Sequence, residues 1–167
     1  MDSHRHPGRE GFQWVSRLAH DTISMVAIDR EGRIAAGSSS NGASHKIPGR
    51  VGDASIAGGG AFAESGIGGC ASTGDGDLHL RFLPCYQVVE SMRLGGSPKR
   101  AAEDAIKRIL RFYPSYVGAV VAINAAGHHA AAAAGWKFQY SARDSSMDAT
   151  TTYDVTPIQQ TQSEVLQ

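Results

Sequence analysis

His20-Asp21-Thr22 opens a stretch in which a hydroxyl heads an apolar, β-branched run, Ile23-Ser24-Met25-Val26-Ala27-Ile28. A threonine hydroxyl is a weak nucleophile until a base stands beside it. Breaking the peptide bond between Asp21 and Thr22 supplies that base, because the freed Thr22 then carries hydroxyl and α-amine in one residue. While Asp21 still acylates that nitrogen no amine is free, so the uncut chain is expected to be inert.

Three other pieces carry groups that complement such a nucleophile: Ser38-Ser39-Ser40-Asn41-Gly42, Gly49-Arg50-Val51-Gly52-Asp53 and Thr73-Gly74-Asp75-Gly76-Asp77. Each ends or follows a predicted strand, where polar groups converge at one edge. Ser40 can hydrogen-bond the amine or hydroxyl of Thr22. The Thr73 hydroxyl and Gly74 N–H can hold an oxyanion, each such donor contributing about 2.7–4 kcal/mol. Arg50 can grip a carboxylate through two parallel hydrogen bonds, and Asp53 can pair an ammonium. A site holding both charges beside an amide suits asparagine-like substrates. Against this, Arg50 and Asp53 can simply pair with each other and stiffen a glycine loop, worth about 0–1 kcal/mol if exposed. Asp75 and Asp77 resemble the start of a cation loop but lack its later ligands. They read better as acids at a helix N-terminus.

The elements that must position these residues follow from periodicity. Residues 23–29 read as a buried strand, 29–32 as a turn and 33–38 as a returning strand, a hairpin. Residues 59–64 and 66–73 read as two small-residue strands. From Asp75 or Asp77 to about Met92, Leu78, Phe82, Tyr86, Val89 and Arg93 recur at helical spacing, with Pro84 kinking or restarting the helix. Ser97-Pro98 starts a second helix, whose stripe is Ala102, Ala105, Ile106, Ile109, Leu110 and Tyr113. Strands return at 117–123, 128–134 and 136–142. The order of strands, helices and strands predicts an α+β chain with helices stacked on a sheet. Residues 1–19 read as a loosely ordered extension, 20–143 as the catalytic segment, and 144–167 as a polar tail that frays.

Composition bounds the rest. The 167 residues hold 16 basic and 16 acidic side chains, which predicts neither nucleic-acid nor anionic-membrane binding. No apolar run reaches the roughly 18 residues of a membrane span, and the polar first residues predict no secretory signal. Cys70 and Cys85 are expected to be ordinary buried thiols. Glycine is abundant, at 20 residues, and clusters between 37 and 76. Glycine at that density marks close approaches of backbone.

These motifs, in this order and spacing, resemble the glycosylasparaginase family of N-terminal-nucleophile hydrolases, mainly its β subunit. The likeness runs from His20-Asp21-Thr22 through the Ser-Asn-Gly turn, Gly-Arg-Val-Gly-Asp and Thr-Gly-Asp-Gly-Asp. It continues through Arg81-Phe82-Leu83-Pro84 to Phe138-Gln139-Tyr140. It implies part of an αββα sandwich, with an α-subunit-like segment supplying the remainder and α/β units associating further. It implies self-cleavage between Asp21 and Thr22, with Thr22 as nucleophile and Ser40 standing where the family usually has threonine. Arg50 and Asp53 would hold the substrate's α-carboxylate and α-amine, and Thr73 and Gly74 the oxyanion. The implied substrate is a glycosylated asparagine, hydrolysed without cofactor or metal to aspartate and a glycosylamine. The implied compartment is the lysosome. An isoaspartyl peptidase or L-asparaginase of the same superfamily is the nearest alternative. A truncated, non-catalytic chain lacking the α subunit is the other.

Overall fold

β-Branched and apolar residues carry Thr22–Ile28 into β1, and Asp29 closes the turn that returns the chain as β2 (Ile34–Ser40). The Asp29 carboxylate accepts the backbone N–H groups of Glu31 and Arg33 and so fixes that turn. The computed structural model describes residues 21–159. After a single 3-10 turn at Asp53–Ser55 come β3 (Ala61–Glu64) and β4 (Gly68–Gly74), then three helices, α1 (Gly76–Phe82), α2 (Pro84–Arg93) and α3 (Pro98–Phe112). β5 (Gly118–Asn124), β6 (His129–Ala134), β7 (Phe138–Ala142) and β8 (Thr151–Val155) complete the chain. The α+β expectation holds. The chain-order expectation of a hairpin, small-residue strands, helices and strands holds with it.

β3, β4, β5 and β6 form one antiparallel sheet in that order, while β1–β2 and β7–β8 are separate two-stranded sheets. Successive β4 residues point to opposite faces, and their surroundings differ accordingly. A Cβ at Gly68 would lie 2.6 Å from Met92 of α2, whereas one at Gly69 would lie 2.5 Å from Val26 of β1. β4 is therefore packed between α2 on one side and the β1–β2 hairpin on the other. The core lies on the helix side, where Cys70, Cys85, Val88, Val89, Ala105, Ile106, Ile109 and Val120 are buried. Sealing Ile106 and Ile109 from water contributes roughly 1.5–3 kcal/mol each. Both thiols are free and buried, as expected.

The triplet Gly58-Gly59-Gly60 ties these layers together through its backbone. The Gly58 carbonyl accepts the Cys85 and Tyr86 N–H groups that open α2, and the Gly60 carbonyl accepts the Ser72 N–H of β4. The Gly59 and Gly60 N–H groups turn back to the Ile56 and Asp53 carbonyls, so β3 starts at Ala61 rather than at 59.

Two expectations need correction. Pro84 restarts the helix, one of the two outcomes expected, because Leu83 adopts a left-handed conformation (φ 47°) ahead of Pro84, which lacks the N–H that α1 needs to continue. The reset rotates the apolar stripe, so Tyr86 is exposed, while Cys85, Val88 and Met92 join the expected Val89 in the core. The tail also contains order: Thr151–Val155 pairs antiparallel with β7, and Tyr153 stacks on Tyr140 at 5.1 Å. Threonine, tyrosine and valine are strand formers even in a polar setting. The extension 1–19, His20 and the tail from 160 onward lie outside the described residues.

Candidate active site

The β1–β2 register sets Thr22 opposite Ser40, and their hydroxyl oxygens lie 2.9 Å apart. The carbonyl of Asp21, on the peptide bond expected to break, accepts the Asn41 N–H at 3.0 Å. Both contacts come from the end of one hairpin, so the hydroxyl and the carbonyl beside it share one rigid frame. Alternation puts Thr22, Ser24 and Val26 on the inner face of β1, while Ile23 and Met25 are 76% and 67% exposed on the outer face. On that inner face Ser24 Oγ donates to the Ser72 carbonyl at 2.7 Å, and Val26 meets Gly69. β1 thus crosses β4 antiparallel, and the same run carries Thr22 to the Thr73–Gly74 end of β4. Thr73 shares its face of β4 with Gly69, the side turned to the hairpin.

The two glycine loops meet beside that end. Asp75 caps α1, its carboxylate accepting the N–H groups of Asp77 and Leu78. Arg50 donates to the Asp77 carboxylate at 2.7 Å, and Asp53 pairs with His79 Nδ1 at 2.6 Å. Arg50 and Asp53 are therefore engaged by separate partners rather than by each other. They converge at Gly76, where a Cβ would lie 3.0 Å from Asp53 Oδ1 and 3.3 Å from an Arg50 terminal nitrogen. The geometry presents a guanidinium and a carboxylate oxygen side by side, the complement of an α-amino-acid head group. Among the described residues no cluster of His, Cys, Asp or Glu is grouped to hold a metal, and no helix is long and apolar enough to cross a membrane.

Burial would raise the Asp53 carboxyl, but the His79 hydrogen bond and, when the ring is protonated, its charge outweigh that and hold it below the usual range. The sign of the linkage follows. With its folded pKa depressed, Asp53 stabilises the fold fully above an unfolded value of about 3.9, and this is lost as pH falls through the folded value. Thermal melts of Asp53→Asn should therefore lie closest to those of the native chain at the most acidic pH, separate as pH rises toward about 4, and keep a constant gap above that. A gap independent of pH would contradict this account.

His79 is the site residue that sequence reading misses. It is fully buried, with Nδ1 on Asp53 and 3.2 Å from Ser72 Oγ, and Nε2 2.7 Å from the Tyr116 hydroxyl. The available signal was a histidine on the inner face of a short helix, four residues after the Asp75 cap. Its partners lie far away in sequence. Burial, and after it the nearby Asp75 carboxylate, push the Tyr116 phenol well up, so it stays protonated and able to donate.

A family model described as asparaginase matches residues 4–152. A probable isoaspartyl peptidase/L-asparaginase 3 of Arabidopsis thaliana is 58% identical over 138 residues, 83% of this chain and 38% of that protein. The N(4)-(beta-N-acetylglucosaminyl)-L-asparaginase of Rattus norvegicus is 54% identical over 68% of this chain and 33% of its own length. A putative N(4)-(beta-N-acetylglucosaminyl)-L-asparaginase of Drosophila grimshawi is 53% identical over 70% of this chain and 30% of its own length. The chain thus spans about a third of the length of these curated relatives. With most of its length matched by the family model and more than half of its aligned residues identical in these relatives, the chain belongs to the asparaginase family.

Proposed function

We propose that the chain is the nucleophile-bearing part of an amidohydrolase that cleaves the side-chain amide of glycosylated asparagine. The observation that carries this reading is the Thr22–Ser40 hydroxyl pair at 2.9 Å, at the head of a strand that runs to the Thr73–Gly74 end of β4. Cleavage between Asp21 and Thr22 frees the Thr22 α-amine. That amine takes the hydroxyl proton as Oγ1 attacks the amide carbonyl, and Ser40 orients the hydroxyl by hydrogen bonding. The Thr73 hydroxyl and Gly74 N–H hold the oxyanion. Collapse breaks the carbon–nitrogen bond, and the ammonium returns its proton to the leaving glycosylamine. A water, deprotonated by the same amine, then splits the β-aspartyl ester and releases aspartate. Arg50 and Asp53 hold the α-carboxylate and α-ammonium throughout.

The outer face of β1–β2, where Ile23 and Met25 are exposed among the described residues, supports an α-subunit-like segment as a covering layer. The αββα N-terminal-nucleophile sandwich is the architecture this completes. The lysosome and a further association of α/β units belong to the same reading.

Intact mass, taken with initial rates on an Asn-GlcNAc analogue, tests the proposal. Two species meeting at Asp21/Thr22 together with turnover support it, and full activity from a single uncut chain refutes it. The Arabidopsis relative's name favours a second reading, hydrolysis of β-aspartyl peptides or free asparagine. Comparing β-aspartyl dipeptides with the glycosylated substrate decides between the two. A cooperatively melting chain that turns over neither, even with an α-subunit-like segment supplied, would instead be the non-catalytic form. Under either enzymatic reading Gly76→Ala should raise KM about tenfold, a loss of about 1.4 kcal/mol, while kcat stays close to that of the native enzyme. The reason is that the added methyl presses on Asp53 Oδ1 and Arg50 rather than on Thr22. A change in kcat alone would show that Gly76 does not border the head-group pocket.

A further inference from the structure

We infer that His79 and Tyr116 form a positioning pair for Asp53 that makes the site demand a cationic amine. The imidazole occupies Oδ2 and leaves Oδ1 turned to Gly76 and Arg50 for the ligand. The inference rests on the proposed reading that Asp53 receives the substrate's α-ammonium.

A carboxylate on a 3-10 turn is free to rotate unless one oxygen is engaged. Asp53 Oδ2 is engaged by His79 Nδ1 at 2.6 Å, and Asp53 itself is only 6% exposed. The ring is in turn fixed at its other nitrogen by the Tyr116 hydroxyl at 2.7 Å. The Asp53 carboxylate can only accept, so Nδ1 carries its proton toward Oδ2, while the Tyr116 hydroxyl shares a hydrogen bond with Nε2 and holds the ring in place. Ser72 completes the set: its hydroxyl donates to the Gly59 carbonyl at 2.8 Å, leaving its oxygen to face Nδ1. The place of the phenol is itself reserved, because a Cβ at Gly118 would fall 2.1 Å from the Tyr116 oxygen.

Two apolar side chains would fill this volume without burying a ring nitrogen pair, a phenol and a serine hydroxyl, each of which must find a partner. The polar chain instead ends on a carboxylate whose second oxygen faces the meeting point of the two glycine loops. A carboxylate fixed in this way keeps its negative oxygen toward the ligand, which favours an ammonium over a neutral group and repels an anionic one.

The test uses the full-length protein, with any covering segment in place, and two ligands that differ only in the amine, L-aspartate and succinate. The native protein should prefer aspartate. His79→Leu should cut the aspartate-over-succinate preference about tenfold, and Tyr116→Phe about threefold. His79→Asn, which keeps a donor near the Nδ1 position, should restore most of the loss. For amide substrates the loss should appear in KM and not in kcat. A folded His79→Leu or Tyr116→Phe with the native preference overturns the proposal, and so does an equal weakening of both ligands. If His79→Leu does not fold, Tyr116→Phe decides alone. Asp53→Asn separates the two levels: if it keeps the preference, the α-ammonium reading itself fails. If it loses the preference while the His79 and Tyr116 variants keep it, only the positioning pair fails.

Discussion

Thr22→Ala is expected to abolish amide hydrolysis and to leave the Asp21–Thr22 bond uncut, with the fold intact. The hydroxyl that the substitution removes is the proposed nucleophile in both events. Loss of a nucleophile costs roughly 10⁴-fold or more in kcat. Little stability is at stake, because Thr22 is only half buried and its partner Ser40 is exposed, so no buried group loses its hydrogen bond. Thr22→Ser should retain both processing and slower turnover, since it keeps the hydroxyl and loses one methyl. Intact mass, a melt and initial rates together make the measurement. A folded alanine variant hydrolysing at the native rate would remove Thr22 from the chemistry.

Gly74→Ala should be the most destabilising single methyl in the chain, by about 4 kcal/mol or more. Gly74 sits at φ +134°, and its added Cβ would fall 2.4 Å from Gly118 Cα and 2.5 Å from the Val117 carbonyl. Both obstacles are backbone at the start of the paired strand β5 and one residue before it, which cannot move without breaking the Asp75 N–H to Val117 carbonyl bond. The sheet end next to Thr73 would open, and the cap of α1 with it. Gly66→Ala is the control. Gly66 also has positive φ, +85°, but meets nothing within 4 Å, so it should cost only about 1–2 kcal/mol. Denaturant midpoints of the two variants check the contrast. Equal costs would mean that the β4–β5 approach does not govern Gly74.

Much of this arrangement is legible in the chain itself, for local reasons. The hairpin is announced by strand formers around the Asp29-Arg30-Glu31-Gly32 turn, and its register brings Thr22 to Ser40. α3 follows from Ser97-Pro98 and a stripe of alanine and isoleucine, and Ser97 does accept the Arg100 N–H as its cap. Asp75 likewise serves as the helix acid that its position suggests. What sequence alone leaves hidden depends on distance along the chain. Arg50 and Asp53 look like mutual partners because they are three residues apart, yet the fold supplies Asp77 and His79 instead. His79 acquires its meaning from Asp53 and Tyr116, 26 and 37 residues away. The break at Leu83 is signalled by Pro84, but the rotation it imposes on the stripe is a backbone event. β8 is masked by the polar residues around it and defined by β7, which it pairs with.

The triplet at 58–60 has a consequence for anyone mapping this protein by saturation scanning. Ser38 Oγ stands 2.5 Å from where a Gly60 side chain would begin, and Tyr86 Cβ 2.9 Å from that of Gly58. At Gly60 the added atom also meets backbone, the Ala54 Cα at 2.8 Å and the Asp53 carbonyl at 2.9 Å, so bulk at either position forces the scaffold to shift. Such a scan would score these positions as intolerant as Thr22, although no functional group resides there. Ranking positions by intolerance alone would thus light up scaffolding and reaction centre with equal brightness. Reading turnover and abundance separately for each variant tells them apart.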